Sequence, residues 1–218
     1  MIDLHTHTTF SDGELIPSEL ARRAESAGYR AIAFTDHADH SNLDFIVPRI
    51  VEVCRRISLR STLIALPGIE ITHVDPEDIA PLAEEARRLG AAVIVVHGET
   101  VVEPVKPGTN HAALLASIDI LAHPGLISDE DANLAAEKGI ALEITTRKGH
   151  SLTNGHVALR ARKYGAGLVL DNDAHAPGDL MTLHMARLIA RGAGLDDDEI
   201  AGMFRNSERL MTRARSSQ

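Results

Sequence analysis

The run Ala91-Ala92-Val93-Ile94-Val95-Val96 is apolar at every position and stops at His97. A strand with one solvated face alternates apolar and polar residues. An unbroken run of this kind is buried on both faces, as in a parallel sheet. Parallel neighbours need a crossover, and the one leading into this run is legible. Asp75–Gly90 carries Glu77 and Asp78 early, Arg87 and Arg88 late, and ends on glycine, the order that suits a helix dipole. Moving outward, further candidate strands lie at Ile2–Leu4, Ala31–Phe34, Leu63–Ile69, Ile118–Ala122, Ile140–Ile144 and Gly167–Leu170, with Ala92–Val96 among them. Pro17–Gly28, Asp129–Gly139 and Thr153–Gly165 read as helices by the same cap logic. Residues 196–213 read as a terminal helix before a frayed polar tail. Seven strand–helix units without a Pro/Gly/Ser-rich linker predict one α/β domain over residues 1–218. A closed barrel is preferred over an open doubly wound sheet, which periodicity does not separate.

Composition narrows the function. Among 218 residues, 31 acids against 22 bases give a net charge of −9, which opposes broad adhesion to DNA or anionic lipid. With no Trp and two Tyr there is no platform for stacking bases. No run is long and apolar enough to span a bilayer, and the N-terminus lacks the basic and apolar regions of a secretory leader. The one cysteine, Cys54, falls on the apolar side of a predicted helix and reads as core; with no disulfide to form, a cytoplasmic location is expected. The chain has no G-x-G-x-x-G, Walker A or G-x-S-x-G motif.

Histidine is the residue in excess, at twelve. His5 and His7 follow the first strand, Asp36 and His37 the second, and Glu70 the third. His97 and His123 end the fourth and fifth, and Asp173 and His175 follow the seventh. In parallel α/β folds those strand ends share one face, where the βα loops build active sites. Each piece alone is bland, since H-T-H can be solvated and Asp36-His37 can be a capped turn. Together they predict a metal centre of imidazoles and carboxylates without thiolate, suited to Zn, Mn or Fe, with Glu70 able to bridge two ions. His111, His156 and His184 fall in helices and read as surface or packing residues. His40, His73 and His150 lie near the rim without a spacing argument.

The stretches D-L-H-T-H-T-T-F-S-D-G (3–13), A-F-T-D-H (33–37), P-G-I-E-I-T (67–72), V-V-H (95–97), L-A-H-P-G (121–125) and L-D-N-D-A-H (170–175) resemble the PHP (polymerase and histidinol phosphatase) family. The resemblance implies a distorted (β/α)7 TIM-like barrel with a trinuclear metal site that hydrolyses phosphoesters. Carried over by position, His5, His7, Glu70 and Asp173 hold a first ion. Glu70, His97 and His123 hold a second, and Asp12, His37 and His175 a third. Asp12 stands at a position that is His in some relatives. The catalytic set so implied is Asp12, His37, Glu70 and His175, within a ligand set of His5, His7, Asp12, His37, Glu70, His97, His123, Asp173 and His175.

The activity expected is a phosphomonoesterase with two to three divalent ions and a metal-activated hydroxide, acting on a small phosphorylated substrate of the histidinol-phosphate type. Asp36 is expected to orient an imidazole, and Arg147, Lys148 and His40 to meet the substrate phosphate. Glu99 and Glu103, in the long 98–110 loop, are expected to face a substrate amine and to repel polynucleotide. The alternatives are a nuclease or nucleotide phosphatase of the same family and a non-catalytic metal-binding accessory module. No membrane partner is expected, nucleic acid is disfavoured, and no feature fixes an oligomeric state.

Overall fold

Each apolar run forms a strand, and every strand pairs in parallel. The computed structural model describes residues 1–216. Its strands are β1 (Ile2–Asp3), β2 (Ala31–Phe34), β3 (His37–Ala38), β4 (Ile64–Ile71), β5 (Val93–His97), β6 (Ile120–Ala122), β7 (Ala141–Thr145) and β8 (Leu168–Asp171). Their order is β1-β2-β4-β5-β6-β7-β8, with the short β3 also pairing to β4. The helices are α1 (Pro17–Ser26), α2 (Leu43–Ser58), α3 (Ile79–Leu89), α4 (Thr109–Leu115), α5 (Asp129–Lys138), α6 (Asn154–Tyr164), α7 (Leu183–Gly192) and α8 (Asp197–Ser216).

The first and last strands meet, so the sheet is a distorted (β/α)7-type barrel and not an open sheet. Thr6 and Ala174 form a parallel bridge, and His7 N donates to Ala174 O at 2.9 Å. Below the bridge side chains replace the backbone ladder: Leu4 N donates to Asp171 Oδ1 at 2.6 Å and Asn172 N to Asp3 Oδ1 at 3.2 Å. Two buried acids therefore stitch the seam.

Strand periodicity sorts the core into two sets. Ile69, Ile94, Val96, Leu142, Ile144 and Leu170 face the helices. Leu66, Val93, Val95, Ala141 and Val169 fill the barrel, where Leu210, Met211 and Ala214 of α8 join them. Truncating wholly buried Leu66 to Ala would cost about 2–5 kcal/mol. Further along the inward rows come Glu70, four residues past Leu66, and His97, Glu143 and Asp171, each two past Val95, Ala141 and Val169. The alternation that packs the core thus delivers polar groups to its upper end.

Most predicted boundaries shift by one or two residues. Glu70, expected just past its strand, lies inside β4 opposite Val95. The helix expected from Asp75 begins as a 3₁₀ turn, Pro76–Asp78, before α3. The tail expected to fray after Arg213 is helical to Ser216, and its last two residues, 217–218, lie outside the described residues.

Candidate metal centre

The H-T-H segment is fixed through its middle residue. Thr6 N donates to Thr35 Oγ1 at 3.0 Å and Thr6 Oγ1 to Ala33 O at 2.7 Å, which ties the segment to β2. The flanking His5 and His7 then project together, with ring centroids 5.0 Å apart. After His7 the chain folds back so tightly that a Cβ at Gly13 would run into His7 O, and this turn carries Asp12 to the rim. Asp36 organises the same turn: its Oδ1 accepts from Thr8 N at 2.7 Å and Ser11 Oγ at 2.8 Å. The expectation that Asp36 orients an imidazole is corrected, since it braces the loop.

All nine residues expected as ligands fall into overlapping groups. Glu70 and Asp173 face the H-T-H pair, with His5 Nε2 3.3 Å from Glu70 Oε1 and His7 Nε2 3.1 Å from Asp173 Oδ1. His123 Nε2 lies 3.6 Å from Asp173 Oδ2 and 3.8 Å from Glu70 Oε1. Asp12 Oδ1 lies 3.4 Å from His37 Nε2 and 3.2 Å from His175 Nε2. His97 meets Glu103, not Glu70: its Nε2 is 3.0 Å from Glu103 Oε2.

Electrostatics divides the imidazoles into neutral and protonated members. Burial drives the His7 imidazole down to about 3 against the pull of Asp173, so it is neutral at pH 7. Burial and the neighbouring His97 also push His123 down. Burial opposes ionisation of Glu70 and Asp173, yet the imidazole charges around them hold both carboxyls below their ordinary range. His5 and His37 go the other way. Burial is outweighed by Glu143, Glu70 and Asp173 at His5, and by Glu70 and Asp12 at His37, which rises to about 10. Protons on these rings balance the acids as a cation would.

The donor set fits divalent metal. His5 Nε2, both ring nitrogens of His7, Glu70 Oε1 and His123 Nδ1 are buried and make no hydrogen bond. Each such group costs roughly 1–3 kcal/mol if left unsatisfied, and a cation coordinated among them removes that cost. Backbone strain marks the same place: His73, His123 and Asp173 are the non-glycine residues with positive φ among the described residues, at 54°, 29° and 50°. Strain of this kind concentrates where side-chain placement is functional.

Several residues went unanticipated or are relocated. Glu143, buried in β7, holds His5 Nδ1 at 2.9 Å; an acid in an otherwise apolar strand was the available signal. His150, Glu103 and His73 adjoin His97. Glu99 is turned away from any substrate, because its Oε1 accepts from Gly108 N and Asn110 N. His40 is exposed and lies 3.5 Å from Asp78, outside the groups. Arg147 Nη1 lies 3.3 Å from Asp179 Oδ2, which also accepts from His175 N, so this arginine sits beside the His175 loop. Lys148 is exposed.

Comparison with known proteins gives a consistent outcome. A PHP domain model matches residues 3–117. An uncharacterized protein of Methanocaldococcus jannaschii is 46% identical over 91% of this chain and 92% of its own length. Ribonuclease P protein component 3 of Methanosarcina mazei is 30% identical over 86% of this chain and 79% of its own. The crystal structure of histidinol phosphate phosphatase from Lactococcus lactis, complexed with Zn, L-histidinol and phosphate, aligns with a TM-score of 0.64. It covers 89% of this chain and 94% of that one, and at 19% identity it shows the shared fold.

Proposed function

This chain belongs to the PHP domain family, and on that premise we propose that it is a metal-dependent phosphoesterase hydrolysing a small phosphomonoester of the histidinol-phosphate type. The observation that carries the reading is the buried set His5, His7, Glu70 and Asp173 at one end of the barrel, in which His5 Nε2, both His7 ring nitrogens and Glu70 Oε1 make no hydrogen bond. When bound, about two to three divalent ions of Zn, Mn or Fe supply positive charge to the phosphoryl oxygens and acidify the attacking water.

The chain's own residues do the rest. Glu70 lies centrally, within 4 Å of His5, His7, His37 and His123, so its two oxygens serve neighbouring groups at once. Asp12, with its side chain 58% exposed, and His37 and His175 stand at the mouth, where a phosphate enters. Arg147 and Lys148 are the cations that would meet it. No helix among the described residues is long and apolar enough to cross a membrane. Residues 1–218 acting as one domain in the cytoplasm are part of the same proposal.

A second reading, cleavage of RNA or nucleotides, is favoured by the relative named ribonuclease P protein component 3. The net charge of −9 opposes it, because gripping a polyanion takes a basic track. The test is kcat/KM of metal-loaded protein on histidinol phosphate, a nucleoside monophosphate and a short single-stranded oligonucleotide. Preference for a small ester is expected; faster cleavage of the oligonucleotide would replace this reading with the nuclease.

A further inference from the structure

Three rim residues lie outside the ligand set above: Glu103, His150 and His73. The loop that carries Glu103 is firmly seated. Glu99 Oε1 accepts from Gly108 N at 3.0 Å and Asn110 N at 2.9 Å, while Asn110 Nδ2 donates to Pro124 O at 2.9 Å. Gly125 has φ +61°, and a Cβ there would run into Glu99 O, so the stem rests directly on the turn after His123. From this seat both Glu103 oxygens point at imidazoles. Oε2 is 3.0 Å from His97 Nε2 and 3.0 Å from His73 Nε2, and Oε1 is 3.4 Å from His150 Nε2.

His150 is placed with equal care. Its Nδ1 is held by Thr100 Oγ1 at 2.8 Å, which leaves Nε2 facing inward. Its ring stacks on His123 with centroids 4.2 Å apart. His97, His123 and His150 are all buried, and one ring nitrogen of each lies within 4.8 Å of the others. Three imidazoles packed this closely, with a carboxylate across from them, form the N3O donor set of a borderline divalent ion. A carboxylate that recognised a substrate amine would face open space instead.

We propose that Glu103 and His150 are ligands of the ion held by His97 and His123, which gives that ion a three-imidazole, one-carboxylate site whose carboxylate comes from the 98–110 loop. The inference rests on the metal-centre reading above and refines it. Glu103 thereby changes from a substrate contact to part of the metal site.

The test is titration of the metal-free full-length protein with Co²⁺, following affinity and the ligand-field spectrum, for wild type, Glu103→Gln, His150→Gln and the exposed control His184→Gln. Loss of even an outer partner of a metal costs about 10–100-fold in affinity. Each of the first two variants is therefore expected to weaken one Co²⁺ by about tenfold or more and to change its spectrum, with the control unchanged. Glu103 is on an exposed loop, so its substitution stays readable even if His150→Gln lowers the metal-free Tm. Wild-type affinity and spectrum in both variants would overturn the inference while leaving the metal centre standing. So would a KM increase for an amine-bearing ester in Glu103→Gln with Co²⁺ binding unaltered. A wild-type protein that binds no Co²⁺ would reject the metal centre itself.

Discussion

Glu143 Oε2 lies 2.9 Å from His5 Nδ1 with both side chains fully buried, and this contact aims the other nitrogen of His5 at Glu70. Ligating imidazoles are commonly oriented this way by a carboxylate on the far nitrogen. Glu143→Gln keeps the volume and removes the charge. It should weaken metal binding about 10–100-fold. Competition against a chromophoric chelator measures this, and an unchanged affinity would show that Glu143 only fills space.

Glu70→Gln should harm activity far more than Asp12→Asn. Glu70 touches four histidines from the centre of the cluster, whereas Asp12 touches two from its exposed edge. Losing several kcal/mol of charge stabilisation at Glu70 predicts a fall in kcat/KM of about 100-fold or more. Measurement at saturating metal decides the order, and a deader Asp12 variant would reverse the assignment of roles.

Metal uptake should release protons and strengthen as pH rises. His37 is held protonated to about pH 10 by Glu70 and Asp12, and His5 is raised too, while a ligating imidazole must be neutral. Between neutrality and pH 10 each ion that displaces such a proton gains about tenfold in affinity per pH unit. Titration calorimetry in buffers of different ionisation enthalpy counts the protons; none released would contradict the charge balance described.

The barrel seam has its own pH signature. Burial, opposed by hydrogen bonds from Asn172 and His5, raises the Asp3 carboxyl from 3.8 to about 7. Between those values the folded chain binds a proton that the unfolded chain has released, so stability falls as pH rises through this window. Asp3→Asn removes that contribution. The Tm of metal-free protein should drop less between about pH 4 and 7 in the variant than in wild type; parallel curves would mean that Asp3 is ionised in the fold.

Sequence pattern revealed the parallel α/β sheet because its evidence is periodic, but periodicity did not separate a closed barrel from an open sheet; the Thr6–Ala174 bridge does. Val93–Val96 is apolar at every position because both faces are buried, one against the helices and the other inside the barrel. The H-T-H pair, Glu70, Asp173 and the other candidate ligands were legible because parallel strands bring their ends to one rim. Glu143 and Asp171 were missed because one inward acid in a short apolar strand looks like noise until the register places it under His5 or Leu4. His150 and Glu103 were beyond reach for a different reason. Their approach to His97 depends on how the 98–110 loop lies across Gly125, and loop paths leave no period in a sequence.

Phosphate release before and after metal removal decides whether the rim is a metal centre working on phosphate esters. Protein stripped by a chelator should release no phosphate from histidinol phosphate. Reloading with Zn²⁺, Mn²⁺ or Fe²⁺ to about two to three ions per chain should restore turnover. Full activity in the stripped protein, or a fully loaded protein that releases phosphate from no ester, would contradict the account.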